Sequence, residues 1–473
     1  MADARGASVV IKQSCCRAML MPSAARALRP LLFLLVALLA AVPASAQEIL
    51  RDAETEQFLQ DITAPMAVSA GLSPRAVKLV LVRDPEINAF VAEGQQVYIN
   101  TGTIEAADSA NELEGVIAHE LGHIEAGDAV RSQGAITAAT RVSLLSLLLG
   151  AAAIAAGAPE LGMAAMMGGQ SAAQGKFLAY SRQIEGSADA SAVRHLNDAH
   201  YSGKGMVSFF NKLKQQEYRL TPSYTAVDPF AQSHPMTDER EQALTADLSK
   251  SPWWNTPPDA ATQARFLRIK AKLIGFLDDP PQVMRKFPES DKSVPARYAR
   301  AYAWHRGGYP DQAVKEVNAL LATAPNDPFF NELKGQVLLE SGKPAAAIPP
   351  LRIAVAESRS TPLIAALLGD ALVTSEDPAN FQEATRVLKV AVQRDNENPQ
   401  AWYDLGLVYT RQGDEARASL ASAERYSLQG NPRLAMTNAE MAVRGLPVGT
   451  PDYLRAQDLA LTAADEANRK KKH

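Results

Sequence analysis

The stretch Ile117-Ala118-His119-Glu120-Leu121-Gly122-His123 sets two histidines four positions apart, with a glutamate directly after the first. On a helix, residues with this spacing share a face one turn apart, so both imidazoles can grip one metal ion while Glu120 stands beside it without ligating. Two ring nitrogens holding Zn²⁺ bring the pKa of a bound water to about 7, and a neighbouring carboxylate can take its proton as it attacks a carbonyl. The pattern therefore predicts metal-assisted peptide hydrolysis. The chain has seven histidines, and chance alone would produce this spacing in about one such sequence in a hundred. The surroundings have to decide.

They favour a buried helix. Ser109 with Glu112 is a capping-box signature, Leu113, Val116, Ile117, Leu121 and Ile124 form an apolar stripe, and Gly127 marks a stop. A third protein ligand is required, and it should come from a second helix downstream. In Tyr180-Ser181-Arg182-Gln183-Ile184-Glu185-Gly186-Ser187-Ala188-Asp189, Glu185 and Asp189 again stand one turn apart. Glu185 can ligate the metal, and Asp189 can hold the far nitrogen of a ligating histidine.

His119-Glu120-x-x-His123 followed by Glu185-x-x-Ala188-Asp189 resembles the zinc-metallopeptidase family of HtpX-type heat-shock proteases, CAAX prenyl proteases and periplasmic proteases with tetratricopeptide repeats. Ser233-His234-Pro235-x-x-x-x-Arg240 is similar to that family's histidine loop. The motifs keep the family's order from about Ser109 to Arg240. The resemblance implies His119, His123 and Glu185 as ligands of one Zn²⁺, Glu120 as general base and His234 close to the metal, with Asp189 and Arg240 supporting them from behind. Two roles are open for His234. It can donate a hydrogen bond to a developing oxyanion, or it can fill the fourth coordination position and keep the site latent, the reading favoured here. Pro235 suits the first turn of a helix and would place His234 at a loop-to-helix junction.

The elements that must position these residues follow a leader. Arg17, Arg26 and Arg29 precede the apolar run Leu31–Val42, and Ala44-Ser45-Ala46 supplies a small-residue cleavage signature, so residues 1–46 read as a secretory signal peptide. The run is short of the about 20 residues that a spanning helix needs, and no cysteine follows the cleavage site to carry a lipid. Cleavage removes Cys15 and Cys16, the only cysteines, so no disulfide framework exists. It also removes five basic residues and one acidic one, shifting the formal charge from −4 to −8. A mildly acidic chain lacks the basic footprint of a nucleic-acid binder.

Residues 47–250 then read as the metalloprotease domain. A helix is expected over Ala53–Ala70 with Pro65 as a point of interruption, followed by strands at Lys78–Val82, Ala89–Val91 and Val97–Asn100. A sheet edge beside the metal helix could hold an extended substrate by backbone hydrogen bonds. From Leu144 to Ala158 the chain is nearly all apolar, and after Pro159-Glu160 it resumes through Leu161–Met167. This segment predicts a helical hairpin near the site. Residues 144–168 would pack on the core or touch membrane or a client.

Residues 251–290 read as a linker with a leading helix, and residues 291–473 as repeats with a C-terminal cap. Ala301, Gly335 and Gly369 recur every 34 residues, as do Ala313 and Ala347; the next step is 37, to Gly406 and Ala384, and Ala384 to Ala418 is 34 again. Extra residues around Glu376–Asn380 explain the slip. Trp304, Leu338, Leu372 and Tyr409 hold the position three after the small residue, which matches the tetratricopeptide pattern. Leu434–Arg444 and Asp452–Asn468 are helical but off-pattern, as a terminal cap should be.

The expected fold is thus mainly α: a zincin-like domain with a small β-sheet, then a repeat α-solenoid that binds proteins. The resemblance implies a periplasmic zinc endopeptidase in quality control and assembly of outer-membrane proteins. Its repeats would engage unassembled outer-membrane proteins and the barrel-assembly machinery. The alternative is a repeat-based chaperone or scaffold with a latent or vestigial zinc site, and the full set of ligand and base residues argues against a dead one. A prenyl-protein protease needs a membrane-embedded chamber that this chain lacks the segments to build.

Overall fold

The computed structural model describes residues 48–472 apart from 93, 156–157, 221–233 and 235–236. The expected signal peptide lies outside the described residues. Four short strands, β1 (Ile49–Leu50), β2 (Lys78–Val82), β3 (Ala89–Ala92) and β4 (Gln96–Asn100), form one sheet in the order β1-β2-β4-β3. β2 and β4 run parallel, and the two outer pairs are antiparallel. The three strands read from sequence are present, while β1 has only two residues and offers no periodicity to read. Helix α1 (Ala53–Ser69) passes straight through Pro65. Phe58, Leu59 and Ile62 before the proline and Met66 after it bury in one core, and that packing outweighs the hydrogen bond the proline removes.

A short α2 (Thr101–Ala106) leads to α3 (Ala110–Ala126), the helix that carries both motif histidines. Ser109 caps it by accepting from the Glu112 amide at 3.2 Å, and Gly127 ends it at φ +68°, a left-handed conformation that glycine adopts without strain. Glu112 reaches back not to Ser109 but to the Asp108 amide, 2.7 Å away. Leu113, Val116, Ile117 and Leu121 bury against α1, the sheet and Phe209 and Phe210 of α6 (Lys204–Leu220).

Between α3 and α6 stands the expected hairpin, with far longer arms than the apolar run suggested: α4 (Asp128–Ala155) and α5 (Pro159–Asp198). At 1.5 Å per residue, the 40 residues of α5 span about 60 Å. The segment read as a second metal helix is therefore the far part of one hairpin arm, where α5 crosses α3. The crossing is close, since a Cβ on Gly122 would lie 2.7 Å from the carbonyl oxygen of Ala188.

Helix α7 (Asp238–Leu248) starts three residues later than Pro235 would place it, because Thr237 is the residue whose side chain caps it, accepting from the Arg240 amide at 3.2 Å. Pro235 itself lies outside the described residues. Helix α8 (Ala260–Leu277), in the stretch expected to connect the domains, sends Phe266, Ile269 and Leu273 into the core that holds Phe58 and Leu113. After α9 (Pro280–Lys286) come the antiparallel pairs α10/α11 (Val294–Arg306, Pro310–Leu321), α12/α13 (Pro328–Glu340, Pro344–Glu357), α14/α15 (Pro362–Thr374, Phe381–Arg394) and α16/α17 (Pro399–Arg411, Glu415–Leu428). A 3₁₀ turn at Pro378–Asn380 absorbs the residues that broke the 34-residue step. Helices α18 (Pro432–Gly445) and α19 (Pro451–Lys472) close the stack. Buried charges join the first repeats to the peptidase half through α8: Arg268 pairs with Glu54 and, at 2.6 Å, with Asp327, Lys272 pairs with Asp52, and Glu54 accepts from the Tyr298 hydroxyl at 2.8 Å.

Candidate metal centre

The crossing of α3 and α5 brings His119, His123 and Glu185 together, and the loop ahead of α7 adds His234. All four are buried, and one ligand atom from each lies within 4.8 Å of the others. His119 Nε2 is 3.1 Å from His123 Nε2, 3.3 Å from His234 Nδ1 and 3.3 Å from Glu185 Oε2. Glu185 Oε1 is 3.5 Å from His123 Nε2 and 3.0 Å from His234 Nδ1. A tetrahedron of donors about 2.0–2.1 Å from a zinc ion has edges of about 3.3–3.4 Å. Five edges of 3.0–3.5 Å between three imidazole nitrogens and a carboxylate fit such an ion.

Charge around the cluster also suits a cation. Burial opposes protonation of His119, but Asp189 and Glu185 outweigh it and push the imidazole up to about 10. Burial would raise the Glu185 carboxyl, yet hydrogen bonds and charge from His119 and His234 hold it far below the usual carboxylate range. Asp189 is held low in the same way by Arg240 and His119. Acids that favour a proton on His119 favour a metal cation in the same place.

His119, His123 and Glu185 are each fixed from behind. His119 Nδ1 faces Asp189 Oδ1 at 3.0 Å, and His123 Nδ1 faces Asp128 Oδ2 at 2.9 Å, which aims both Nε2 atoms at one point. Arg240 clamps Asp189 at 2.6 and 3.0 Å and reaches Glu185 at 3.0 Å. Asp128 was not foreseen. Its one sequence signal is its position directly after the Gly127 stop, where the chain turns back towards the last turn of α3.

Glu120 is fully buried, and neither of its carboxylate oxygens has a hydrogen-bond partner among the described residues. His234 Nε2 lies 3.7 Å from Glu120 Oε1. An unsatisfied buried carboxylate is costly and calls for a functional partner. Here the water and substrate of a hydrolytic site would supply one. A separate cleft of about 1010 Å³ lies between β2 and Arg394–Glu397, spanned by the ion pairs Arg51–Asp395 and Lys78–Glu397, and contains none of these residues.

Residues 53–247 match peptidase family M48, so this half of the chain is a metallopeptidase domain. Over 385 residues the chain is 24% identical to the β-barrel assembly-enhancing protease of Yersinia pestis, covering 79% of this chain and 76% of that one. Over 418 residues it is 22% identical to the Escherichia coli (strain K12) protein of the same name, covering 86% and 82%. A shorter match, 35% over 80 residues, joins it to protease HtpX of Shewanella oneidensis across 16% of this chain and 27% of that one. Among solved structures, MamA (23% identity, 37% of this chain and 97% of that chain, TM-score 0.28) and the tetratricopeptide-repeat protein YrrB (16%, 38% and 92%, 0.31) are similar too distantly to bear on the chemistry.

Proposed function

We propose that this chain, a peptidase M48 domain joined to tetratricopeptide-like repeats, is a periplasmic zinc endopeptidase that acts on unassembled outer-membrane proteins. The convergence of His119, His123, Glu185 and His234 around one point, with Glu120 buried beside them, is the observation that carries this reading. When bound there, zinc supplies a Lewis acid that polarises a carbonyl and acidifies water to a pKa of about 7.

The remaining work falls to the chain's own residues. Glu120 takes the proton from water and delivers it to the departing amine, which its unpartnered oxygens leave it free to do. Asp189 and Asp128 hold His119 and His123 in the tautomer that keeps Nε2 free for the metal. Arg240 balances the charge of Asp189 and Glu185. The antiparallel edge strand β3, which packs against α3, offers backbone groups to an extended substrate irrespective of its side chains.

His234 acts as a gate. Its Nδ1, 3.3 Å from His119 Nε2 and 3.0 Å from Glu185 Oε1, is close enough to the other donors to take the place of water on a bound ion, which would keep the resting enzyme latent until a client displaces the ring. Domain boundaries after residues 46, 250 and 290 go with this reading, although α8 shares the peptidase core and a cut after Leu277 respects it better. The name of the similar proteins, β-barrel assembly-enhancing protease, supports β-barrel assembly as the setting, and the proposed partner of the repeats is the barrel-assembly machinery.

The hairpin tip is suited to a lipid surface. Among the described residues no helix is long and apolar enough to cross a membrane. Within the hairpin, however, Gly150, Gly162 and Gly169 pack closely against the opposite arm, and Ser143 bonds Gln170 at 2.8 Å. Leu148 and Leu161, 69% and 70% exposed, point outward with Leu144, Leu145 and Met167. Small residues inside and large apolar ones outside is the packing of helices in lipid. The substrate reading is tested by incubating the enzyme with an outer-membrane β-barrel protein, either urea-unfolded or folded in detergent. Chelator-sensitive cleavage of the unfolded form alone is expected, and equal resistance of both forms would remove this substrate class.

A further inference from the structure

We propose that a second cavity, between the start of α3, the α5–α6 loop and the connector into α8, binds an alkylammonium group with Glu114 as its anionic anchor. Either a free diamine or the lysine side chain of a bound peptide would supply that group. The cavity measures about 460 Å³ and is lined by Asn111, Glu114, Tyr201, Ser202, Pro258 and Asp259 among others. That volume lies within the about 300–1,000 Å³ usual for small-ligand sites. The proposed function makes no use of it, and the proposal does not depend on that function.

Glu114 is 6% exposed, and among the described residues its carboxylate accepts one hydrogen bond, from Asn111 Nδ2 at 2.8 Å. Asn111 cannot turn away to serve anything else, because it also donates to the Ser202 carbonyl at 2.8 Å and accepts from the Gly205 amide at 2.9 Å. Among the described residues no lysine or arginine lines the cavity. The nearby cations are engaged elsewhere: Arg265 pairs with Asp61 at 2.7 Å, and Lys204 donates to Asn255 at 2.8 Å over the Trp254 ring. Across the space, Asp259 is exposed and accepts from Thr262, and His200 stacks on Trp253.

A buried acid facing a second acid with no cation between them makes a negative hollow. Burial, then Asp259, pushes the Glu114 carboxyl up to about 7. The Tyr201 hydroxyl is raised to about 12 by burial and by Glu114, Asp259 and Asp61. Metal binding does not fit, since among the described residues three or more metal-ligating side chains converge only at the His119 cluster. An ammonium head has three donors for Glu114 and neighbouring oxygens, and Ala110, Pro257 and Pro258 give its methylene stem an apolar wall.

The test is calorimetric titration of the zinc-loaded full-length protein with 1,4-diaminobutane, with Nα-acetyl-lysine methylamide and with the side-chain-acetylated form of each. Binding of at least one amine at one per chain is expected, with none for its acetylated form. The diamine binding more tightly identifies a free amine as the ligand, and the lysine derivative binding more tightly identifies a peptide side chain. Glu114→Gln should raise Kd at least tenfold while zinc content and the thermal melt stay unchanged. Near pH 7 the complex should release a proton, read from the dependence of heat on buffer, because Glu114 is half-protonated when free and ionised when bound. Asp259→Asn, on the surface and still able to cap α8, should weaken binding severalfold even if the Glu114 variant fails to fold. Absence of binding by both amines, or affinity and proton release unchanged in the variants, would overturn the proposal.

Discussion

Replacing His234 by alanine should switch the protease on. The side chain is buried, its Nδ1 lies 3.0 and 3.1 Å from the two oxygens of Glu185 and 3.3 Å from His119 Nε2, and its Nε2 approaches Glu120 at 3.7 Å. Taking the contact of the ring with the charged centre to be worth about as much as one hydrogen bond to a charged group, it contributes about 1.5–3 kcal/mol to the closed state. With about 1.4 kcal/mol per factor of ten, the open fraction of wild type is lower by roughly 10–100-fold than that of a chain lacking the ring. His119, His123 and Glu185 remain, so the variant should keep its metal. Casein cleavage at matched zinc content should therefore rise about 10–100-fold in His234→Ala, accompanied by faster self-cleavage. A folded, zinc-loaded variant with activity below wild type would refute the gate and assign His234 to the oxyanion.

Asp189→Asn removes the carboxylate charge and replaces one of its two acceptor oxygens by an NH2 group, so it can no longer accept from both His119 Nδ1 and Arg240, and should weaken metal affinity about 10–100-fold in competition with a chelating dye. Asp404, in α16, is pushed up to about 8 by burial and then by Asp370, against a hydrogen bond from Gln400. The folded chain thus keeps a proton that the unfolded chain loses above its ordinary value of 3.8, so stability falls as pH rises towards 8. Asp404→Asn should be nearly neutral near pH 4 and raise Tm increasingly up to about pH 8, each pKa unit being worth about 1.4 kcal/mol. A chain truncated after Trp254 loses Phe266, Ile269 and Leu273 from the peptidase core and should melt early or resist expression, whereas one ending at Asp278 retains them. Equal melting temperatures for the two fragments would place α8 outside that core.

The candidate metal site was legible as a cluster because its residues are written in local spacing. His119 and His123 share a helix face, as do Glu185 and Asp189, and capping and stop residues bracket α3. The repeats were legible for a similar reason: small residues at a fixed period mark each helix crossing, and the slip at Glu376–Asn380 became a 3₁₀ turn. What escaped depends on the packing of distant segments. The two residues of β1 pair only because β2 presents an edge, and Asp128 reaches His123 only through the αL turn at Gly127. Apolar periodicity marked the hairpin tip but not its arms, since the polar stretch that carries Glu185 belongs to the same helix as Leu161. Helix α8 reads as a connector from its place between domains, yet its apolar face completes the first core. Pro235 suggested a helix start that Thr237 took instead, because its hydroxyl can satisfy an amide that proline cannot.

A zinc add-back titration of chelator-stripped His234→Ala protein, alone and combined with Glu120→Gln, examines the metal site and the base together. Casein cleavage should rise in proportion to bound zinc up to one ion per chain, and the Glu120→Gln form should bind the same zinc while losing at least about a hundredfold in rate. Cleavage that persists without zinc, or that survives undiminished when Glu120 is replaced, would contradict hydrolysis at this centre.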